Sequence, residues 1–239
     1  MNDKCCNHGT QENNSIDLYF VGENPSTSFN SSSVYPQIDD SAFISPFSSV
    51  IGDVKIEKNV FLGCNVTVRA DEGSPFHIGC NANLQDGVIL HGLRDVKYTV
   101  GNKEYSIYVG DEASIAHGAL LHGPCVIGNR TFVGFNSVVF NAIVESDCYI
   151  DVGAIITNGV TVASHKYVPL GAIIDSQEKA DALCSITEDK QAFAEKVVKV
   201  NTELADSFTL KFGDTRCSCG ICCDGETLPK KEKNASFSE

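Results

Sequence analysis

Three of the six histidines fall close together along the chain, in the settings His91-Gly92, Ala116-His117-Gly118 and Leu121-His122-Gly123-Pro124. A neutral imidazole offers one lone pair, so three that converge can hold a divalent metal, and one alone can act as a general base. Two further stretches are rich in usable groups: Arg69-Ala70-Asp71-Glu72-Gly73 and Asn83-Leu84-Gln85-Asp86. A thiol cluster stands apart near the end, Cys217-Ser218-Cys219-Gly220-Ile221-Cys222-Cys223, with Cys5, Cys6 and His8 near the start. Thiolates are soft metal ligands, but this spacing fits no zinc ribbon; adventitious or regulatory metal binding and redox-labile disulfides both stay open.

Whether the histidines meet depends on the elements that carry them. From residue 41 the chain repeats in sixes. Every sixth position reads Ile44, Val50, Ile56, Leu62, Val68; after a break, Ile78, Leu84, Leu90; after a second break, Val109, Ile115, Leu121, Ile127, Val133, Val139. The phase then slips by one and continues Val144, Ile150, Ile156, Val162, Val168. All nineteen are aliphatic. Two residues ahead of each the side chain is usually small or β-branched, as at Ala42, Val54, Ala82, Ala113, Cys125 and Ser137. A strand and a turn per sextet, three sextets per triangular coil, is the pattern of an all-β solenoid, a left-handed parallel β-helix of hexapeptide repeats. The aliphatic residue fills the interior, the small one fits the corner, and nineteen sextets predict about six coils.

The phase says where each polar group points. His91 and His122 directly follow Leu90 and Leu121, one coil apart, so they stack on one face about 4.8 Å from each other. This takes residues 92–108 as a loop that leaves and rejoins the same path. His117 belongs to a sextet on another face and cannot reach the other two within one prism. A neighbouring copy packed about a three-fold axis could supply it. Three imidazoles with a fourth position open are the donor set of a catalytic zinc site. Arg69, after Val68, falls on the face of His91 and His122; Gln85, after Leu84, falls on the face of His117. The bland alternative is that all of these pack or meet solvent, which is the expectation for His77 and His165.

The predicted layout is a polar, partly disordered N-terminal segment over 1–40, the β-helix over 41–175, a helical segment over 176–212 and a Cys-rich flexible tail over 213–239. Ser176 is expected to cap a helix over 177–183. A second helix over 189–208, with Phe193, Val197, Val200 and Leu204 three to four apart, is expected along one face of the prism. The balance of 18 Lys+Arg against 31 Asp+Glu argues against nucleic-acid binding. No apolar run approaches the roughly 18 residues of a membrane span, so no membrane partner is expected. Residues 1–16 lack an apolar core, so no secretory signal is expected, and eleven cysteines read best as free thiols in the cytoplasm.

Arg69-Ala-Asp71-Glu72-Gly73, Asn83-Leu-Gln85-Asp86, His91-Gly, Ala116-His117 and Leu121-His122-Gly123-Pro124 together resemble the gamma-class carbonic anhydrases. Gly134-Phe135-Asn136 and Val139-Phe140-Asn141-Ala142 are similar to the anhydrase-like domain of carboxysome scaffold proteins. The resemblance covers roughly residues 40–210. It implies reversible hydration of carbon dioxide to bicarbonate by a homotrimer with a metal at each subunit interface, Zn2+ or alternatively Fe2+ or Co2+. It makes His91 and His122 ligands from one subunit and His117 the ligand from its neighbour. By the same resemblance Arg69 and Asp71 form an inter-subunit ion pair, Glu72 is an active-site carboxylate and Gln85 stands near the metal-bound hydroxide. Asn83 and Asn201 are further polar residues about the pocket.

The resemblance breaks at one point. The best-characterised type of gamma enzyme has a proton-shuttling Glu three residues after the first metal His, where this chain has Arg94. Glu72 or another acid would have to serve instead, or turnover would slow. A non-catalytic bicarbonate-binding or scaffold protein is therefore the main alternative, and a hexapeptide-repeat acyltransferase a more distant one. No Rubisco small-subunit-like repeats follow the prism in this sequence, so a carboxysome scaffold role is not the expectation.

Overall fold

The computed structural model describes residues 20–212. The expected disorder near the start and the thiol cluster at Cys217, Cys219, Cys222 and Cys223 lie outside the described residues.

Residues 20–175 wind into a left-handed parallel β-helix with three faces. The first face stacks Phe20–Gly22, Ser49–Gly52, Thr67–Ala70, Ile89–Gly92, the front of Leu120–Ile127 and of Val138–Val144, Ile155–Ile156 and Ile173–Ile174. The second stacks Gln37–Ile38, Val54–Ile56, Phe76–Ile78, Ile107–Val109, the rear of those same two long strands, and Val160–Val162. The third is a separate 7-stranded sheet from Phe43–Ile44 to Tyr167–Val168. All nineteen aliphatic positions of the repeat are buried, Ile56, Leu62, Ile127 and Val133 at 1% exposure or less. Each such side chain contributes about 1.5–3 kcal/mol by leaving water. The corner residues close beside them: Ala82, Ala113, Cys125 and Cys148 have no room for more than a small side chain.

The stack is taller than six coils. Val21 and Ile174 join the interior column on the first face and Ile38 on the second, giving eight layers on the first face and seven on each of the others. Parallel pairing therefore begins at Phe20, ahead of the expected boundary at residue 41. The sextet register hid this, because residues 23–36 bulge out between Val21 and Ile38.

That bulge stands at the corner between the first and second faces, and so do the other irregularities of the repeat. Residues 71–75 and 93–106 leave the prism there, and the slip of phase after Val139 is absorbed there, where Asn141 takes a positive φ of 50°. The second of these excursions carries the antiparallel hairpin Tyr98–Val100 with Lys103–Tyr105, turning at Gly101 (φ 64°). Tyr98 Oη donates to Asn141 Oδ1 at 3.0 Å, which pins the hairpin over the prism. Ile107 and Val109 rejoin in register with Phe76 and Ile78, so the path continues as expected.

Two helices end the described residues, α1 (Gln177–Asp181), capped by Ser176, and α2 (Glu188–Phe212). The long helix lies along the third face. Phe208 stacks on Phe43 and Phe61, Ala205 is fully buried, and Ala194 joins Phe132 and Tyr149. Of the stripe expected to make this contact, Val197 packs against the Phe132–Tyr149 cluster and Phe193 meets both rings edge-on while staying 44% exposed, whereas Val200 and Leu204 remain about two-fifths exposed. A helix approaches a sheet closely through small side chains, and here Ala194, Ala205 and Asn201 occupy that line. Lys190 fixes the first turn, its ammonium over the rings of Tyr149 and Tyr167 (4.7 and 4.5 Å) and 3.0 Å from Asp151.

Candidate metal centre

His91 and His122 are direct register partners on adjacent strands of the first face, with Arg69 one coil below and Phe140 one coil above. In each strand the preceding aliphatic points inward, so alternation turns the next side chain outward. His91 Nδ1 stands 3.3 Å from His122 Nε2. The outer nitrogens are both engaged with groups that only accept. His91 Nε2 donates to Asp71 Oδ1 at 3.2 Å, and His122 Nδ1 donates to the Gly123 carbonyl at 3.2 Å. Those acceptors assign the tautomers and leave lone pairs on both inner nitrogens.

Two lone pairs facing at that distance repel unless a cation lies between them. Two imidazole nitrogens on one tetrahedral zinc, each about 2.0–2.1 Å from it, are about 3.3–3.4 Å apart. The pair therefore fits a metal ion as it stands.

Asp71 and Glu72 reach this face from the 71–75 excursion. Asp71 is shared: its Oδ2 is 3.4 Å from Arg69 Nη1, while its Oδ1 holds His91. Arg69 and Asp71, an inter-subunit pair by resemblance, thus meet within one chain. They are two residues apart where the chain turns the corner, so both side chains converge above the same strand. Glu72 Oε2 is 3.9 Å from His91 Nε2 and borders a cleft of about 490 Å³ with Phe29, Leu93, Arg94 and Asp95. Arg94 does not simply meet solvent. Its Nε donates to both oxygens of Asp95 at 2.9 Å, and its guanidinium lies 5.7 Å from the Phe29 ring centre.

His117, Gln85, Asn83 and Asn201 collect on the third face instead. Asn83 Nδ2 donates to Ser114 Oγ at 2.7 Å, and Gln85 Nε2 donates to Asn83 Oδ1 at 3.2 Å. All three residues are buried. Asn201 is also buried, against α2's own backbone, where its amide donates to the Val197 carbonyl at 2.9 Å. Gln85, His117 and Asn201 line one groove of about 580 Å³ between α2 and the prism edge. The His117 ring packs on Phe135, 5.7 Å between centres, and its Nδ1 is 3.4 Å from Asp86 Oδ2. Among the described residues no group of three or more His, Cys, Asp or Glu side chains is arranged to hold a metal ion within the single chain. The structure brings His91 and His122 together and leaves His117 around the corner from them.

Sequence reasoning missed several neighbours. Phe140 meets His122 edge-on at 5.3 Å and could have been found by the arithmetic that paired the histidines. Phe29 and Asn30, whose amide donates to the Asp71 carbonyl at 3.4 Å, come from a bulge with no repeat to place them. His77, expected in solvent, stacks on Tyr108 at 4.8 Å beside Tyr105, and burial pushes its pKa below the usual 6.5. His165 lies largely open near the upper end of the prism.

A carbonic anhydrase from Methanosarcina thermophila is 35% identical over 222 residues, covering 85% of this chain and 89% of that protein. The chain belongs to the gamma-class carbonic anhydrase family. The carboxysome assembly protein CcmM from a Nostoc species is 46% identical over 195 residues, which is 81% of this chain but 35% of that protein. The chain thus spans about a third of that relative's length. Among solved structures, a hexapeptide transferase family protein from Anaplasma phagocytophilum superposes with a TM-score of 0.60 at 26% identity, covering 73% of this chain and 93% of that one. A Bacillus cereus protein superposes with a TM-score of 0.62 at 21% identity, covering 73% and 92%, a likeness of fold. No protein-family model matches the chain. Among the described residues no helix is long and apolar enough to cross a membrane.

Proposed function

We propose that the chain catalyses the reversible hydration of carbon dioxide to bicarbonate, as a homotrimer in the cytoplasm. His91 and His122 of one copy and His117 of its neighbour would hold the metal, zinc in the first instance and ferrous iron or cobalt as alternatives. The observation that carries this is the close approach of His91 Nδ1 and His122 Nε2, 3.3 Å apart with both outer nitrogens already engaged. A metal on three neutral imidazoles would lower the pKa of a bound water to about 7 and so supply a nucleophile at neutral pH.

The residues of the chain do the rest. Gln85 spends its amide NH2 on Asn83, which Ser114 holds in turn, so its carbonyl oxygen is available to orient the nucleophile by accepting a hydrogen bond. Glu72 takes up the released proton and passes it to buffer through the cleft that it borders. Arg94 shares that cleft but stays protonated, so it cannot relay. Arg69 steadies Asp71, which fixes the tautomer of His91. Asn201 closes the groove beside Gln85 and His117.

Arg94 in place of the expected Glu favours a second reading, a metal-loaded protein that binds bicarbonate or serves in a scaffold with little turnover. Purification without oxygen, metal analysis and a stopped-flow hydration assay separate the two. The enzyme reading expects metal near one per chain together with hydration, both lost in His91→Ala and His122→Ala. Full metal without hydration would favour the second reading. Acetyl-coenzyme A turnover would point instead to an acyltransferase.

A further inference from the structure

We propose that Asp86 is the positioning residue for His117, holding its imidazole in the Nδ1–H tautomer so that Nε2 is free to ligate in the neighbouring copy. This rests on the metal-site reading above and assigns the outer partner of its third ligand. His91 has Asp71 behind it and His122 has the Gly123 carbonyl. His117 is half exposed, and Asp86 Oδ2, 3.4 Å from Nδ1, is the acceptor that faces its ring among the described residues.

The arrangement is built into the corner of the third face. Asp86 stands one coil below His117, and its carbonyl accepts from Gly118 N at 3.0 Å, which sets the height of the turn that carries the histidine. Its carboxylate is locked from the other side, where Oδ1 accepts from Cys64 N at 2.7 Å. Gly63 leaves the space for this: a Cβ there would lie 2.6 Å from Asp86 Oδ1. With one oxygen anchored on Cys64, the other lies 3.4 Å from His117 Nδ1, both side chains remaining about half exposed, while Phe135 stacks on the ring face. Asp86 also adjoins Gln85, so a single turn positions the groups offered to the metal and to the nucleophile.

The test compares wild type, Asp86→Ala, Asp86→Asn and His117→Ala. Zn2+ affinity is read by chelator competition, and the His117 tautomer by 15N correlation spectra of the zinc-free protein. Asp86→Ala should weaken zinc about 10–100-fold, the usual cost of losing an outer partner of a ligating His, and should mix the His117 tautomers. Asp86→Asn keeps an oxygen for Cys64 N and so keeps the turn, but it turns an amide NH2 toward His117 Nδ1; it should favour the Nε2–H tautomer and weaken zinc at least as much as Asp86→Ala. Wild-type affinity and a single Nδ1–H tautomer in Asp86→Ala overturn the proposal. Should Asp86→Ala not fold, the same result in Asp86→Asn overturns it. His117→Ala separates the two levels: if it retains zinc at wild-type affinity, the three-histidine reading itself fails and takes this proposal with it.

Discussion

Asn83 Nδ2 donates to Ser114 Oγ at 2.7 Å across neighbouring coils, with both side chains at 1% exposure. This bond is the base on which Gln85 is mounted, since Gln85 Nε2 donates to the other end of the same amide. Asn83→Ala leaves Ser114 Oγ and the Gln85 amide without partners inside the fold. Each buried group left unsatisfied costs about 1–3 kcal/mol. The expected outcome is a lower melting temperature and a hydration rate that falls more than metal content does. A variant with unchanged turnover per bound metal would show that Gln85 does not need this mount.

Arg94 pairs with Asp95 and covers Phe29, but both partners are largely exposed, and such a surface pair contributes about 0–1 kcal/mol. Arg94→Glu should therefore change stability little. It places a carboxylate in the cleft that Glu72 borders, so turnover should rise and its dependence on buffer concentration should weaken. Stopped-flow hydration across a buffer series reads both. Identical rates for the two proteins throughout the series would remove proton relay as the role of this position.

His77 predicts a pH effect on stability that is separate from catalysis. Burial beneath Tyr108 lowers its pKa in the folded chain, with Lys55 and Lys103 acting in the same direction and Glu57 and Asp111 opposing. The unfolded chain then binds the proton more readily, so the neutral stack stabilises the fold above about pH 6.5 and loses that contribution as pH falls. Melting temperature should drop from pH 8 to pH 5, and less steeply in His77→Phe, which keeps the stack. Parallel slopes for the two proteins would contradict this.

The interior of the prism was legible because one physical requirement, an aliphatic residue facing inward once per sextet, is met at all nineteen register positions despite two breaks and one slip of phase. His91 and His122 could be paired from it, since register follows once the coil is counted. What the repeat could not reach lies at the corner between the first and second faces, where residues 23–36, 71–75 and 93–106 leave it. Phe29, Asn30 and the partners of Arg94 come from there. The contact line of α2 was legible only in part. Apolar spacing marks Phe193, Val197, Val200 and Leu204, of which Phe193 and Val197 meet the third face, whereas close approach to the sheet also selects the small or polar Ala194, Asn201 and Ala205. Asp86 behind His117 stood in a quoted motif, but its role depends on which coil lies above it.

Subunit complementation tests the shared site most directly. Co-expressed with equal abundance, His117→Ala keeps His91 and His122, while the double variant His91→Ala/His122→Ala keeps His117. Neither parent can complete a site with itself. In every mixed trimer one interface joins an intact pair to an intact His117, so random assembly should restore about one quarter of the wild-type zinc content. Hydration should return in proportion. Zinc and activity absent from the mixture, or full zinc in the His117→Ala parent alone, would contradict a metal centre assembled between copies.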